Sequence, residues 1–354
     1  MRISTKTKLA LIFLATACFI GVVTSLIVNS IITNQIIFEA QERVKEDLNT
    51  ARWVYASKIK DIDRTIRWTS ARHVVLKKVI REKNVSSIRD EFSRLMAEEG
   101  LNFLVLLDQK GTVIFRFQNP KVAGDSLIQD PFIRSALEKK GISGTQILSR
   151  EELLNEGETL AQRAIFRLIP TPKERPTEKM EETAGMVLKS AYPVIDSNGQ
   201  VLGVLAGGIL LNRNYEIVDR IKDIVFKNAK FKGKEIGTAT IFLGDLRIST
   251  NVMDKEGNRA IGTRAMKEVT VQILEKGMPW IQRAFVVDDW YITAYEPIRD
   301  IRDKIVGILY VGMLESKYAL MKERIILLFF LFSLSGMFIA LTLSFILSWK
   351  ILKK

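Results

Sequence analysis

Two stretches of this chain carry the same succession of apolar and polar positions. Residues 189–215 read KSAYPVIDSNGQVLGVLAGGILLNRNY, and residues 291–318 read YITAYEPIRDIRDKIVGILYVGMLESKY. In each, an alternating run leads to a polar turn, a second run of Val, Ile, Leu and Gly, and a segment that opens a helix. The first two runs predict the strands of a hairpin. Tyr192 answers Tyr295, Pro193 answers Pro297, Gly203 answers Gly307, Gly208 answers Gly312 and Tyr215 answers Tyr318. A pattern met twice predicts two copies of one module.

The same logic extends upstream of each copy. Residues 102–107 and 112–117 alternate around an Asp-Gln-Lys-Gly turn, and residues 238–243 and 247–252 do so around Gly244-Asp245. Residues 131–140 predict a short helix ended by Gly141, and Gly262 answers Gly124. In the second copy, residues 284–287 and 290–297 flank Asp288-Asp289 as a central hairpin. The first copy carries extra residues between Ser149 and Thr183. Their first half has helical spacing at Leu160, Ala164, Ile165 and Leu168. Their second half, TPKERPTEKMEET, reads as an exposed loop. Residues 213–230 predict a connecting helix with Ile217, Ile221, Ile224 and Val225 on one face.

Ahead of the modules, apolar residues recur at steps of three and four: Ile37, Ala40, Val44, Leu48, Ala51, Tyr55, Ile59, Ile62 and Ile66. Gly and Pro are absent from residues 34–99, so a long helix is expected. Its stripe is narrow enough for a partner helix and can equally pack on the chain's own sheets. A second helix follows through Ile88, Phe92, Leu95 and Met96 and closes at Gly100. Residues 9–37 and 325–349 are uncharged, and each is long enough to cross a bilayer. The first has no small-residue cleavage site behind it and reads as an uncleaved anchor rather than a signal peptide. Arg2, Lys6 and Lys8 precede it, and Lys350, Lys353 and Lys354 follow the second span. Basic flanks mark the cytoplasmic side, so both termini are expected inside a bacterial cytoplasmic membrane and residues 36–324 outside.

The expected division is residues 1–8 cytoplasmic, 9–33 first span, 34–100 stalk helix and following helix, and 101–212 membrane-distal module. Then come 213–237 connecting helix, 238–314 membrane-proximal module, 315–324 juxtamembrane helix, 325–349 second span and 350–354 cytoplasmic end.

Composition narrows the chemistry. The net charge is +13, and six of the basic residues flank the spans. Cys18 is the only cysteine, so no intrachain disulfide forms; His73 is the only histidine and has no partners for a metal site. No nucleophile elbow and no phosphate-cradling loop occurs. A non-enzymatic chain without cofactor, metal or nucleic-acid partner is expected.

The segments RISTNV, RAIGTR, RAFVVDDWYITAYEPI, VGILYVGMLE and GMVLKSAYPVIDSNGQVLGVLAGGILLNRNYEIVD resemble the double Cache sensor domains of bacterial transmembrane receptors, of the Cache 3/Cache 2 fusion type. The resemblance covers nearly everything between the spans. It implies an α+β chain: two PAS-like modules of antiparallel sheet on a long N-terminal helix, flanked by two transmembrane helices. It also implies a homodimer, expected to be parallel and packed along the Ile37, Val44, Leu48, Ala51 and Tyr55 stripe, and a cytoplasmic output of the chemotaxis, histidine kinase or cyclase kind. The sequence stops a few residues past its second span, so that output is expected from a longer chain or in trans.

Such a module binds a small molecule on one face of its sheet. Residues two apart share a face, which groups Tyr291, Thr293 and Tyr295, and likewise Leu188, Ser190 and Tyr192, with Lys189 beside them. Arg247 and Arg116 lie on the partner strands. Trp280 and Arg283 precede the second central hairpin, and Arg163 and Arg167 occupy a similar place in the first copy. Arginine with tyrosine and tryptophan suits a carboxylate, which a guanidinium binds through two hydrogen bonds. The amino-acid-binding subset of the family has an aromatic–Arg–Trp–Tyr–Asp pattern in its first module. No Trp occurs here between Trp68 and Trp280, which favours small organic acids over α-amino acids. Two other readings stand beside the sensor: a membrane-anchored scaffold with filled modules, and a tethered periplasmic enzyme.

Overall fold

A computed structural model describes residues 5–72, 74–82, 85–86 and 88–351. His73, Arg2, Lys353 and Lys354 lie outside the described residues. The chain forms two compact units, Met1–Arg43 with Leu314–Lys354, and Val44–Met313.

Helix α1 (Thr5–Arg72) runs unbroken, followed by α2 (Val74–Glu82) and α3 (Arg89–Glu98). No Gly or Pro occurs between residues 34 and 99, which removes the usual helix breakers from the part of α1 beyond the apolar stretch. The first sheet module contains β1 (Phe103–Asp108), β2 (Val113–Arg116), α4 (Pro131–Leu137), β3 (Ile142–Leu148), α5 (Arg150–Glu156) and α6 (Glu158–Ala164). It continues with the short pair β4 (Phe166–Arg167) and β5 (Glu181–Glu182), then β6 (Gly185–Ile195) and β7 (Val201–Leu210). Helix α7 (Glu216–Phe226) ends where Lys227 turns left-handed. The hairpin β8 (Lys230–Phe231) and β9 (Lys234–Glu235) follows, where a longer helix was expected. The second module comprises β10 (Gly237–Leu243), β11 (Leu246–Thr250), α8 (Lys267–Thr270) with a π-helical turn Val271–Glu275, β12 (Trp280–Val286), β13 (Asp289–Arg299) and β14 (Ile305–Leu314). Helix α9 (Glu315–Ile351) begins at the residue after β14.

The two sheets have the same order, β2-β1-β7-β6-β3 and β11-β10-β14-β13-β12. Counted within each module this is 2-1-5-4-3, antiparallel, so the α+β class and the PAS-like sheets that the resemblance implies are what the chain adopts. The repeated glycines have a common cause. A Cβ on Gly203 would lie 2.1 Å from the Leu107 carbonyl oxygen, and one on Gly307 would lie 2.1 Å from that of Phe242. Each copy needs a bare backbone where its last strand crosses its first.

One face of the first sheet packs on α1. Tyr55 and Thr145 share a 2.8 Å hydrogen bond, and Tyr192 donates to Asp63 Oδ1 at 2.8 Å. The other face, through Phe103, Val105, Val187, Ala191, Ala206 and Leu210, buries against Phe132, Ile133 and Ala136 of α4 and Leu153, Leu160 and Ala161 beyond it. Two helix starts explain that cover. Asp130 caps α4 by accepting from Phe132 N at 2.8 Å, and Ser149 with Glu152 forms a capping box on α5.

The α1 stripe is turned inward. Val44, Leu48, Ala51, Tyr55, Ile62 and Ile66 are buried within this single chain, whereas Ile37 is exposed. The apolar residues that α1 does expose beside the sheets are Trp53 and Trp68. Val44, Leu48, Ala51 and Tyr55 therefore serve the chain's own core rather than a partner helix.

The charged insertion is also no free loop. Leu168 N bonds to Met180 O, closing the β4–β5 pair, and residues 169–179 reach the second module. Ile169 N donates to Gly262 O at 2.9 Å and Lys267 N to Lys173 O at 2.8 Å. Arg175 pairs with Glu275 at 2.8 Å, and Lys173 Nζ stands 4.4 Å from the Trp290 ring centroid. Its side chains are exposed while its backbone is tied down, which composition alone does not reveal.

In the other unit, Cys18 Sγ lies 3.9 Å from Met337 Sδ. Among the described residues, two helices are long and apolar enough to cross a membrane; the stretch in α9 reaches a mean hydropathy of 2.5.

Candidate functional site

The two sheets offer chemically different interiors. In the first, Arg116 ends β2 and is almost completely buried. Its guanidinium donates to Asp125 Oδ1 and Oδ2 at 2.6 and 2.8 Å, to Glu156 Oε1 at 3.0 Å and to Val122 O at 3.1 Å. Lys189 on β6 pairs with Asp130 at 2.5 Å, and Gln146 donates to the same carboxylate oxygen at 3.2 Å. Burial would raise Asp130, but the Lys189 ammonium, with the hydrogen bonds from Gln146 and Phe132 N, outweighs it and holds the carboxyl below its ordinary value. Glu156 goes the other way: burial pushes its carboxyl up despite Arg116. The cavity between these groups is about 30 Å³, lined also by Phe103, Leu127 and Glu152. That is room for a water or two. Arg116 and Lys189 each have a carboxylate partner there, so neither cation of this interior is left without a counter-charge.

The remaining first-module candidates lie elsewhere. Tyr192 is on the α1 side of the sheet, opposite to Lys189, because residues three apart in a strand face opposite sides. Burial and the Asp63 carboxylate push its hydroxyl up to about 12. Arg163 donates to Asn212 O at 3.4 Å near the end of β7, and Arg167 is exposed on β4 at the base of the insertion. Neither lines the Arg116 cavity.

The second sheet gathers more of the candidates. Trp280 stands opposite Tyr295 in the β12–β13 ladder, and cross-strand partners share a face. The Tyr295 ring is 4.6 Å from Tyr310 and 6.3 Å from Phe242, centroid to centroid. Arg247 Cζ stands 5.0 Å from the Phe242 ring centroid. Tyr291 lies four residues before Tyr295 on the same face. Thus Arg247, Trp280, Tyr291 and Tyr295 belong to one face. Arg283 points to the other, with Ile292, its Cζ 4.0 Å from the Trp290 ring centroid.

Arg247 is 1% exposed, and no carboxylate pairs with it among the described residues. Its Nη1 donates to Thr263 Oγ1, while its Nε has no partner. Trp280 Nε1 is likewise buried without an acceptor. Burial lowers the Arg247 guanidinium from its usual value, and the same burial pushes Tyr291, Tyr295 and Tyr310 up. An arginine still keeps its proton, so this face holds a cation with no counter-charge, whose Nε lacks an acceptor, and an indole donor that lacks one too. Such an arrangement can hold an acceptor-only group such as a carboxylate. No cluster of metal-ligating side chains occurs among the described residues.

Asp125, Asp130, Glu156, Tyr310 and Thr263 were not singled out from the sequence. Asp130 had a readable signal, since Asp before Pro is a helix-start signature. Asp125 and Thr263 are brought in by loops whose paths no periodicity encodes, while Glu156 ends α5 and Tyr310 lies in β14.

Residues 209–325 match the family model described as single cache domain 3. No curated protein matches the chain. Among solved structures, the periplasmic domain of Vibrio cholerae LuxQ is similar at 11% identity and a TM-score of 0.44, over 77% of this chain and 99% of that one. The sensor domain of the V. cholerae histidine kinase DctB is similar at 11% and 0.41, over 77% and 96%. The ligand-binding domain of the Campylobacter jejuni chemoreceptor Tlp3, in complex with 4-methylisoleucine, is similar at 9% and 0.41, over 81% and 94%.

Proposed function

We propose that this chain, whose residues 209–325 are of the Cache type, is the sensing and transmembrane part of a bacterial receptor that responds to a small organic acid. The observation that carries the reading is the buried Arg247, whose Nε lacks an acceptor beside the equally unsatisfied Trp280 Nε1. An unpaired buried charge costs several kcal/mol in a dry site, and a bound carboxylate would remove that cost. In this reading residues 101–212 are the membrane-distal module and 238–314 the membrane-proximal one. Residues 9–33 and 325–349 span the cytoplasmic membrane with both termini inside. The receptor works as a parallel homodimer and hands its signal to a cytoplasmic output through the second span.

The test is a thermal-shift titration of the full chain in detergent with acetate, lactate, succinate, citrate, amino acids and purines. A shift with one of the acids, lost in Arg247→Met, is expected. A shift only with purines, or an acid shift that survives Arg247→Met, refutes the assignment.

A further inference from the structure

We propose that the insertion of the first module is a working part of the second module's anion site, setting the orientation of Arg247 through residues 262–267. The proposal rests on the reading of Arg247 as the acid-binding group.

Arg247 is positioned by Thr263, the one side chain to which its guanidinium donates. Thr263 in turn donates to Ala260 O at 2.7 Å. The stretch carrying it lies between β11 and α8 and has no regular structure of its own, so something else must hold it. On one side it is held by β11. Arg247 N donates to Thr263 O at 2.8 Å, Gly262 N to Arg247 O at 3.0 Å, and Leu246 bridges to Arg264. On the other side it is held by the first module's insertion. Ile169 N donates to Gly262 O, Glu174 bridges to Met266, Lys267 N donates to Lys173 O, and Arg264 Nη1 donates to Arg175 O at 2.8 Å. The insertion thus runs along the outside, and the segment that orients Arg247 lies between it and β11.

Gly262 is the joint. Its φ is +83°, and a Cβ there would come within 2.8 Å of the Arg167 carbonyl oxygen. Gly124, its counterpart in the first module, has φ +88° but open space around its would-be Cβ. Both positions favour glycine for their backbone angle. Only Gly262 also needs it for close approach of another segment. The insertion therefore meets the second module where bare backbone is required, one residue from Thr263.

The test uses the full chain in detergent and two readouts. The first is amide hydrogen exchange of peptides covering Arg247 and Gly262 in the absence of any ligand. The second is binding of acetate, lactate, succinate and citrate. Replacing residues 169–179 by Asn-Gly removes the contacts while leaving the β4–β5 pair a two-residue turn suited to a hairpin. Exchange at Arg247 and Gly262 should rise by about tenfold or more, and affinity for whichever acid binds the parent should fall about tenfold. Gly262→Ala should move both in the same direction, and Gly124→Ala should move neither. Unchanged exchange in both strap variants overturns the proposal, as does faster exchange with unchanged affinity. If none of the four acids binds the parent chain, the acid-sensing reading itself fails, and the exchange arm alone still decides whether the insertion holds Arg247 in place.

Discussion

Arg247 and Lys189 are both buried cations in strands, and their surroundings set opposite expectations. Lys189 has Asp130 at 2.5 Å. Replacing Asp130 by Asn leaves a buried ammonium without its counter-charge, which costs about 3–5 kcal/mol. Because Asp130 is held below its ordinary value in the folded chain, its contribution is present above about pH 4 and is lost as pH falls through that folded value. Glu156, raised by burial, acts in the opposite sense, favouring the fold below the ordinary carboxyl range and less so above it. Melting of Asp130→Asn against the parent should show the full gap at pH 7 and a closing gap below about pH 4. A gap that stays constant to lower pH would mean that Lys189 is not what depresses Asp130. Arg247 has no such partner, so Arg247→Met, of similar volume, should leave the ligand-free chain as stable or up to about 1–4 kcal/mol more stable. The same change should weaken acid binding roughly ten- to a hundredfold. Loss of stability in Arg247→Met without ligand would argue that the guanidinium is satisfied internally.

Among the elements, α1 departs most from what its stripe alone suggests. The 3.6-residue period identified the helix and its apolar face but could not say what covers that face. Val44, Leu48 and Ala51 are at most 3% exposed inside one chain. Cysteines there should therefore fail to crosslink two protomers, whereas cysteines at Trp53, 61% exposed, are placed to do so if the helices pair. Leu48→Ala should lower the melting stability by about 2–5 kcal/mol as a core truncation does. A crosslink through Val44 or Leu48 would show that the helix turns its other face to the sheet. The strands were more legible than the helix's surroundings. The repeat placed β6, β7, β13 and β14 because alternation and the glycine positions are local features of the chain. Arg163 and Arg167 were grouped with Trp280 and Arg283 by analogy of position, yet they lie at the foot of the insertion and the others lie in β12. An insertion shifts every equivalence that follows it, and sequence spacing alone carries no correction. The β8–β9 hairpin was likewise missed although Gly233, with φ +82°, sits in its turn, because Lys232 rather than Asn or Asp precedes that glycine.

At the scale of the whole molecule, β14 passes into α9 with no residue between them, and α1 is unbroken from Thr5 to Arg72. Under the receptor reading proposed above, a signal would travel as a displacement of one span against the other, driven only by the ligand's differential affinity for two states. Inserting Gly-Gly between Glu315 and Tyr318 in a chain fused to a cytoplasmic kinase should leave acid affinity unchanged and abolish the kinase response. A full response in that fusion would require another route. The backbone ties between residues 169–174 and 262–267 have a consequence for heating as well. Stacked repeats that touch only weakly melt one after another, and their unfolding is then not two-state. Here those hydrogen bonds must break before either module can unfold alone, so a scanning calorimeter should record one endotherm for residues 44–313. Cutting the insertion back should split that endotherm in two, and the fragility of the freed second sheet would be read directly from the lower peak.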